Sequence, residues 1–139
     1  MKLKDVNALD YKLRDDLKYT SSHEWVKIEE DLAIIGISDY AQHQLGDIVF
    51  VELPDMGLVL ERGSNAAEIV SVKAVGDLIM PLSGEIVDVN QSLNDSPEII
   101  NTSPYDEGWI IKISFTHTDE LNELLSPKDY KLWIESEEK

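Results

Sequence analysis

Hydrophobic residues along the chain fall into short runs, several of which alternate with polar residues, and turn-forming residues bound each run. Runs of this length and alternation predict β-strands rather than helices. The predicted strands cover residues 24–28, 32–37, 47–53, 68–72, 84–89 and 109–113. One of the intervening turns is expected at Gly76 and Asp77, after the fourth run. Many short strands with close turns predict a mainly β domain, either a sandwich or a small barrel.

Helical signals are few and local. Asp39 is followed three residues later by Gln42, as in a capping box, and Gly46 can end that short helix in the left-handed conformation. Towards the C-terminus, Thr118 can cap a segment that begins with two acidic residues, and Pro127 suits the first position of another helix. The apolar faces of these two C-terminal segments would consist of Leu121, Leu124 and Leu125, and of Tyr130, Trp133 and Ile134.

The two ends of the chain lack the strand pattern. The sequence is therefore divided into an N-terminal extension, a folded domain and a solvated acidic tail, which cover residues 1–18, 19–134 and 135–139. In the extension, Leu9, Leu13 and Leu17 are four residues apart, which indicates either a short amphipathic helix or a disordered tail. With 139 residues, of which 42% are hydrophobic, the chain is long enough for one core.

The charge balance limits the classes of partner. The chain has 28 acidic and 12 basic residues, which gives a net charge of −16 with histidine neutral. Nucleic acids and anionic membranes are bound through clusters of lysine and arginine, and the sequence has no such cluster, so we expect neither as a partner. The expected partners are neutral or basic proteins, and the chain itself is expected to be a monomer.

Cysteine is absent, which excludes disulfide bonds, thiolate metal sites and a cysteine nucleophile. Its absence also fits a reducing compartment. No apolar run approaches the ~18 residues of a membrane span, and the N-terminal residues lack the apolar region of a signal peptide. These features predict a soluble cytoplasmic protein.

Motifs that carry catalysis are missing from the sequence. The three histidines, His23, His43 and His117, are too scattered to suggest one site. His23 and Glu24 begin like the HExxH motif of zinc proteases, but Lys27 stands where the second histidine is required. We therefore predict neither a metal site nor an enzymatic activity of the chain's own.

Lys73 stands apart from the other charged residues. It is the only lysine or arginine between Gly63 and Ile111, and it lies between the strand predicted at 68–72 and the turn expected at Gly76. A lysine at the tip of a hairpin projects far from the body of the domain and can be reached by another protein. A solvated turn lysine without a function would have the same position, so the spacing alone leaves both explanations open.

The residues around Lys73 resemble a known family. The segment Ser71-Val72-Lys73-Ala74, followed by Ser83-Gly84-Glu85, is similar to the lipoyl-attachment region of glycine cleavage system H proteins. Ser22-His23-Glu24-Trp25-Val26 and the segment from Leu45 to Pro54 match in the same order, and the resemblance extends from about Tyr19 to Trp133. It implies a barrel-sandwich hybrid, the flattened two-sheet β barrel of lipoyl and biotinyl carriers, with short helices that include C-terminal ones. Biotin is disfavoured because valine and alanine, not methionines, flank the lysine.

The resemblance implies that lipoate is attached covalently to Lys73 by a lipoate ligase or an octanoyl transferase. Such a carrier takes an aminomethyl group from a pyridoxal-phosphate glycine decarboxylase to a tetrahydrofolate-dependent aminomethyltransferase, and a flavin-containing dihydrolipoamide dehydrogenase reoxidises it. By the same resemblance, Ser22, Glu24 and Asp77 supply acceptors to the bound amine in a cleft. Without the resemblance each has a simpler explanation: a cap at a strand start for Ser22, a solvent-facing strand position for Glu24 and a turn for Asp77.

Three positions near Lys73 depart from the family pattern. Val70 stands where the family usually has Glu, Gly76 where it commonly has Ser, and Met80 where a small residue is common. Because that glutamate helps attachment enzymes to recognise lipoyl acceptors, Val70 leaves the identity of the attaching enzyme open. The same changes fit a second hypothesis, an H-protein-like lipoate-binding protein that carries sulfur for a heterodisulfide-reductase-like complex in sulfur oxidation. A third hypothesis, a non-lipoylated interaction module, would share the fold alone.

Overall fold

The computed structural model describes residues 11–137, which form a mainly β structure with short helices. The strands of this part of the chain are β1 (Lys18–Tyr19), β2 (Glu24–Glu29), β3 (Leu32–Ile37), β4 (Ile48–Glu52), β5 (Val59–Leu60), β6 (Asn65–Ser71), β7 (Val75–Ile79), β8 (Gly84–Val89) and β9 (Ile111–Phe115). Its helices are α1 (Asp39–Leu45), α2 (Ser92–Asp95), α3 (Ile99–Thr102), a 3₁₀ helix (Thr118–Glu123) and α4 (Pro127–Glu137).

The strands form two antiparallel sheets. The larger sheet has the strand order β1-β2-β3-β9-β8-β5, and the smaller sheet has the order β4-β6-β7. One hydrophobic core contains buried residues of both sheets, among them Ile35 and Ile113 of the larger sheet and Val51 and Ile69 of the smaller one. This two-sheet, mainly β architecture confirms the fold class that the sequence predicted.

All six predicted strands are present, with ends that differ by up to three residues, whereas β1, β5 and β7 were not predicted. The turn expected at Gly76 and Asp77 is wrong, because both residues lie inside β7 and pair with Ile69 and Glu68 of β6. Gly76 serves close packing rather than a change of chain direction: a Cβ there would lie 3.2 Å from Cδ2 of Leu45. The chain reverses earlier, between β6 and β7.

Helix α1 is present as predicted, but its N-cap is Ser38 and not Asp39. Ser38 has an extended backbone, and its Oγ accepts the N–H of Ala41 at 3.1 Å. Asp39 is already helical, and its carboxylate accepts the side-chain amide of Gln42 at 2.7 Å. The predicted capping box is therefore wrong. The helix ends as predicted at Gly46, whose φ is 81°.

The segment that Thr118 was predicted to cap is a 3₁₀ helix with His117 at the N-cap position and no side-chain capping bond. Thr118 lies inside this helix, so its predicted capping role is wrong. A tertiary contact holds the segment instead: a carboxylate oxygen of Glu120 accepts the N–H of Ser83 at 2.7 Å, and the other accepts its hydroxyl at 2.9 Å.

Helix α4 begins at Pro127 as predicted and extends to Glu137, so it includes three residues of the predicted acidic tail. Tyr130 and Ile134 are fully buried, as expected for the apolar stripe, whereas Trp133 is 40% exposed. The indole N–H of Trp133 donates to the carbonyl of Ser21 at 2.9 Å, which ties α4 to the loop before β2. None of the helices in residues 11–137 has the length and hydropathy needed to cross a membrane.

Residues 11–17 contain no helix, so the helix predicted from Leu13 and Leu17 is wrong for this part of the chain, and Leu9 lies outside the described residues. Leu17 is buried and Leu13 packs beside it in a second hydrophobic cluster, whose aromatic members include Tyr19, Trp25 and Tyr130. Tertiary packing on these rings, not helical periodicity, accounts for the leucines.

Candidate functional site

Lys73 lies at the tip of the hairpin that joins β6 to β7, as predicted. The N–H of Ser71 closes the hairpin by donating to the carbonyl of Ala74 at 2.8 Å. The Ser71 hydroxyl oxygen also accepts the N–H groups of Lys73 at 3.2 Å and of Ala74 at 3.0 Å. One serine thus holds the backbone of the turn, while Lys73 remains exposed.

The aliphatic part of Lys73 passes over Gly46, the residue that ends α1. A Cβ added at Gly46 would lie 3.3 Å from Cε and 3.8 Å from Cδ of Lys73. Gly46 therefore leaves space for the lysine chain against the end of the helix. Val72 before the lysine and Val75 after it are 69% and 61% exposed, so the hairpin also presents apolar side chains to solvent.

A groove of about 330 Å³ lies between α1, the start of β2 and the β6-β7 hairpin. Its apolar lining includes Ile37, Leu45 and Ile69. Its polar lining includes Ser22, His23, Asp77 and Glu137. Leu45 directly precedes the glycine over which Lys73 lies, so the lining of the groove extends to the residue next to that contact.

The structure brings Ser22 and Asp77 together in this groove but places Glu24 behind it. Glu24 is fully buried. Its carboxylate accepts the hydroxyls of Thr20 and Ser22, both at 2.6 Å. It also accepts the N–H of Ile79 at 3.0 Å. Burial raises the pKa of Glu24, and these hydrogen bonds oppose the shift. The solvent-facing position considered for Glu24 is therefore wrong.

Ser22 and Asp77 present oxygen atoms to the groove in different ways. The Ser22 hydroxyl donates its proton to Glu24, so its oxygen can accept a bond from a donor in the groove. This side chain binds another side chain rather than capping a backbone group. Asp77 is exposed in β7 opposite Glu68, and the turn position considered for it is wrong because the strand continues through it.

His23 and Glu137 also line the groove, although neither was predicted to belong to a site. His23 has a φ of 79° and turns its ring towards α4. Its Nδ1 lies 2.8 Å from the Tyr130 hydroxyl, and its Nε2 lies 3.0 Å from Oε1 of Glu137. Burial lowers the pKa of His23, and the charge of Glu137 opposes the shift. No local pattern connects two residues so far apart, and only the docking of α4 brings them together.

Val70, which departs from the family pattern, lies on the outer face of the smaller sheet. It is half-buried and pairs with Phe50 of β4 and Val75 of β7. Phe50 and Val75 are 54% and 61% exposed, so the three side chains form an apolar row across the sheet. This row lies next to the turn that carries Lys73.

These features define a class of protein. A lysine on an ordered hairpin of a flattened two-sheet barrel, beside a groove with apolar and acidic lining, is the arrangement of a carrier domain that holds a prosthetic arm. The family described as Glycine cleavage H-protein has a model that matches residues 17–137 of this chain. The chain belongs to this family.

Individual relatives agree with the family match. The glycine cleavage system H protein of Saccharophagus degradans is 50% identical over 127 residues, which are 91% of this chain and 98% of that protein. The mitochondrial glycine cleavage system H protein of Pisum sativum is 49% identical over 89% of this chain and 75% of its own length. A crystal structure of a glycine cleavage system H protein from Mycobacterium marinum matches with a TM-score of 0.79 and 38% identity, over 85% of this chain and 95% of that one. These relatives give no support to the sulfur-oxidation hypothesis.

Proposed function

We propose that this chain carries a glycine-derived aminomethyl group between the enzymes of glycine cleavage, on a lipoyl arm attached to Lys73. The observation that carries the proposal is the position of Lys73, which is exposed on a turn held by Ser71 and lies over Gly46, the residue next to Leu45 of the groove lining. The names of the relatives support the pathway, since each is a glycine cleavage system H protein.

The dimensions and lining of the groove suit a long acyl arm. Because a Cβ at Gly46 would press on the lysine chain, the glycine keeps open the space that the first atoms of the arm require. A groove of about 330 Å³ with Ile37 and Leu45 in its lining suits a chain of methylene groups. Bound lipoate supplies the thiol chemistry that a chain without cysteine lacks.

The polar residues of the groove would bind the cationic amine of the cargo and shield it from water. A protonated amine needs oxygen acceptors and negative charge, which Ser22 and Asp77 supply at the groove. Glu24 acts through Ser22: because it accepts the hydrogen bond of the Ser22 hydroxyl, the serine oxygen stays available as an acceptor. In this proposal Ser22 and Asp77 are binding residues, and Glu24 is a positioning residue.

The partners in this proposal are a glycine decarboxylase, an aminomethyltransferase and a dihydrolipoamide dehydrogenase, together with the lipoate ligase or octanoyl transferase that attaches the arm. Acylation removes the charge of Lys73, so the lysine serves as a tether rather than as an acid or base, and the chain has no catalytic activity of its own. Tethering raises the effective concentration of the cargo at each partner. We place these reactions in the cytoplasm, which the lack of cysteine supports.

High-resolution mass spectrometry of the protein purified from its own cells without reductant, with the Lys73 peptide sequenced, tests the proposal. We expect a lipoyl group on Lys73 and the addition of an aminomethyl group after incubation with glycine and the host's decarboxylase. Lys73→Arg should show neither. A lipoylated Lys73 that ignores glycine and carries extra sulfur would instead identify a sulfur carrier, and an unmodified lysine would overturn the proposal.

A further inference from the structure

A chain of hydrogen bonds leads from α1 through α4 into the groove. The Ser38 hydroxyl, which caps α1, lies 2.6 Å from the Tyr130 hydroxyl. The Tyr130 hydroxyl lies 2.8 Å from Nδ1 of His23. Nε2 of His23 lies 3.0 Å from Oε1 of Glu137. This series of hydrogen bonds therefore connects a carboxylate that lines the groove to the N-terminus of α1.

For a neutral His23, the groups at the two ends of the series, Glu137 and the N–H of Ala41, determine which atom donates in each hydrogen bond. The carboxylate of Glu137 can only accept, so Nε2 of His23 carries a proton and donates it. A neutral histidine has one N–H, so Nδ1 accepts a hydrogen bond from the Tyr130 hydroxyl. The Tyr130 oxygen then accepts a hydrogen bond from the Ser38 hydroxyl. The Ser38 oxygen in turn accepts one from the backbone N–H of Ala41. Each hydroxyl proton has one acceptor in this order.

A protonated His23 would break this order. Nδ1 would also donate to Tyr130, and one hydroxyl proton of Tyr130 or Ser38 would then lack an acceptor among the hydrogen bonds of residues 11–137. Both residues are fully buried, so water could not replace the missing acceptor. Burial of the imidazole lowers its pKa and acts in the same direction. The hydrogen-bond geometry and the burial both favour a neutral His23 with its proton on Nε2.

A neutral His23 leaves the negative charge of Glu137 in place. Asp77 is the other carboxylate that lines the groove, and no lysine or arginine of the described residues lines it. His23 binds Oε1 of Glu137, which leaves Oε2 for another donor. Once acylation has removed the charge of Lys73, these two carboxylates favour a positively charged group in the groove.

We propose that Glu137 is a further binding residue for the cationic amine carried on the Lys73 arm, and that His23 is the residue that positions it. This inference rests on the proposed function, and it adds the C-terminal helix to the site. Asp77 and Glu137 approach the groove from β7 and α4, so the amine would be held by elements distant in the sequence. His23 keeps the Glu137 carboxylate directed into the groove through its Nε2–H.

The inference also predicts that retention of the amine in the groove depends on pH. Three titratable side chains contact His23, namely Glu137 and Tyr130 of α4 and Tyr40 of α1. Asp77 of β7 shares its groove, and the buried Glu24 is its neighbour in the sequence. Protonation of His23 would cancel the charge of Glu137. Retention of the amine should therefore weaken as the pH falls through the pKa of His23, which burial places below 6.5.

The first experiment requires no cargo and uses the full-length protein labelled with ¹⁵N. Long-range ¹H–¹⁵N correlation spectra of the imidazoles at neutral pH report which nitrogen carries the proton. We expect a neutral His23 with its proton on Nε2, and a change of its Nε2 signal in Glu137→Gln. A proton on Nδ1, or a charged imidazole at neutral pH, would overturn the inference.

The second experiment loads the arm without an enzyme. The lipoylated protein is reduced to the dithiol and treated with formaldehyde and ammonia. One thiol, one formaldehyde and one ammonia combine through a new C–S bond and a new C–N bond, with loss of one water and no change in oxidation state. The half-life of the bound amine is then measured by mass spectrometry. We expect about a two- to fivefold shorter half-life in Glu137→Gln.

Glu135→Gln provides the matched control, because it makes the same charge change at an exposed position of α4 that does not line the groove. It should retain the wild-type half-life, and Glu137→Asp should recover part of the loss. Equal half-lives in Glu137→Gln and the wild type, or equal losses in both glutamine variants, would overturn the inference. If the amine is retained as expected but glycine decarboxylase cannot load the protein, the proposed function fails and this inference stands.

Discussion

The carboxylate of Glu24 in β2 accepts the backbone N–H of Ile79 in β7 at 3.0 Å, and this bond joins the larger sheet to the smaller one. The same carboxylate accepts the hydroxyls of Thr20 and Ser22 from the loop before β2. Asp77 lies two residues before Ile79 in the strand that this bond holds. One buried acid thus fixes Ser22 relative to Asp77 on the walls of the groove.

Glu24→Ala should lower the free energy of unfolding by about 3 kcal/mol, because it leaves a buried N–H and two hydroxyls without their acceptor. Glu24→Gln should cost only about 1 kcal/mol, since its amide can donate to the hydroxyls while its oxygen accepts the Ile79 N–H. Urea denaturation measures both. Glu29→Ala, at the exposed end of the same strand, should stay within about 0.5 kcal/mol of the wild type. Equal losses in the alanine variants would contradict the role of Glu24.

The raised pKa of Glu24 makes its contribution to stability depend on pH. Because the folded state binds the proton more tightly than the unfolded state, the contribution is fully present below the ordinary pKa of 4.5 and is lost as the pH rises through the folded pKa. The free energy of unfolding of the wild type, relative to Glu24→Gln, should therefore decrease as the pH is raised from about 4. A difference that stays constant or increases with pH would show that the pKa is not raised.

The lowered pKa of His23 predicts a contribution to stability that increases, rather than decreases, as the pH rises. Because the folded state binds the proton less tightly, the contribution of His23 is fully present above the ordinary pKa of 6.5 and is lost as the pH falls through the folded pKa. His23→Asn is the suitable reference, since asparagine tolerates the φ of 79° better than most residues. Denaturation curves over this range should show the stability advantage of the wild type decreasing towards acidic pH. An advantage that grows there would refute a neutral, buried His23.

Gly46→Ala should impair both stability and modification of Lys73. The φ of 81° strains any residue with a Cβ, and here that Cβ would also lie 3.3 Å from Cε of the lysine. We expect a loss of about 1–2 kcal/mol in unfolding and a slower rate of lipoylation, measured by mass spectrometry over time. Gly63→Ala separates the two effects, because its φ is 93° but no atom lies within 4 Å of the added Cβ. It should lose stability and keep the lipoylation rate.

Substitution of Val70 tests which kind of enzyme attaches the arm to Lys73. We expect that its apolar side chain, between Phe50 and Val75 on the outer face of the smaller sheet, restricts modification of Lys73 to a dedicated ligase. Val70→Glu should then raise the rate at which an ordinary lipoate or octanoyl transferase modifies the lysine. Val75→Glu, which adds the same charge on the same face, should not. Efficient modification of the wild type, with no gain in Val70→Glu, would refute this expectation.

The sequence predicted most of the fold because the long strands carry their own pattern of apolar positions. Strand β7 was missed because Gly76 and Asp77 are typical of turns. Only pairing with β6 and the packing of Leu45 on Gly76 make this segment a strand. Both contacts are tertiary, so local sequence could not reveal them. The cap of α1 was misplaced by one residue, because Ser38 and Asp39 are both good caps.

For the site, the resemblance pointed to Lys73, Ser22 and Asp77. The structure places Lys73 on the β6-β7 turn and Ser22 and Asp77 in the lining of the groove, while their binding roles stay a prediction. The burial of Glu24 could not be predicted, because a charged residue in a strand is ordinarily exposed and its three donors come from separate parts of the chain. The contact between His23 and Glu137 depends on how α4 docks on the barrel, which no spacing in the sequence encodes.

The turn that carries Lys73 determines how far the cargo can travel. Because the Ser71 hydroxyl accepts two N–H groups of the turn, motion must come from the rotatable bonds of the side chain and its acyl extension rather than from the loop. The cargo then moves within a sphere centred on one nearly fixed Cα, with a radius equal to the length of the arm. In the proposed function, every partner enzyme must bring its active site inside that sphere. In the proposed function, a single arm therefore serves one active site at a time.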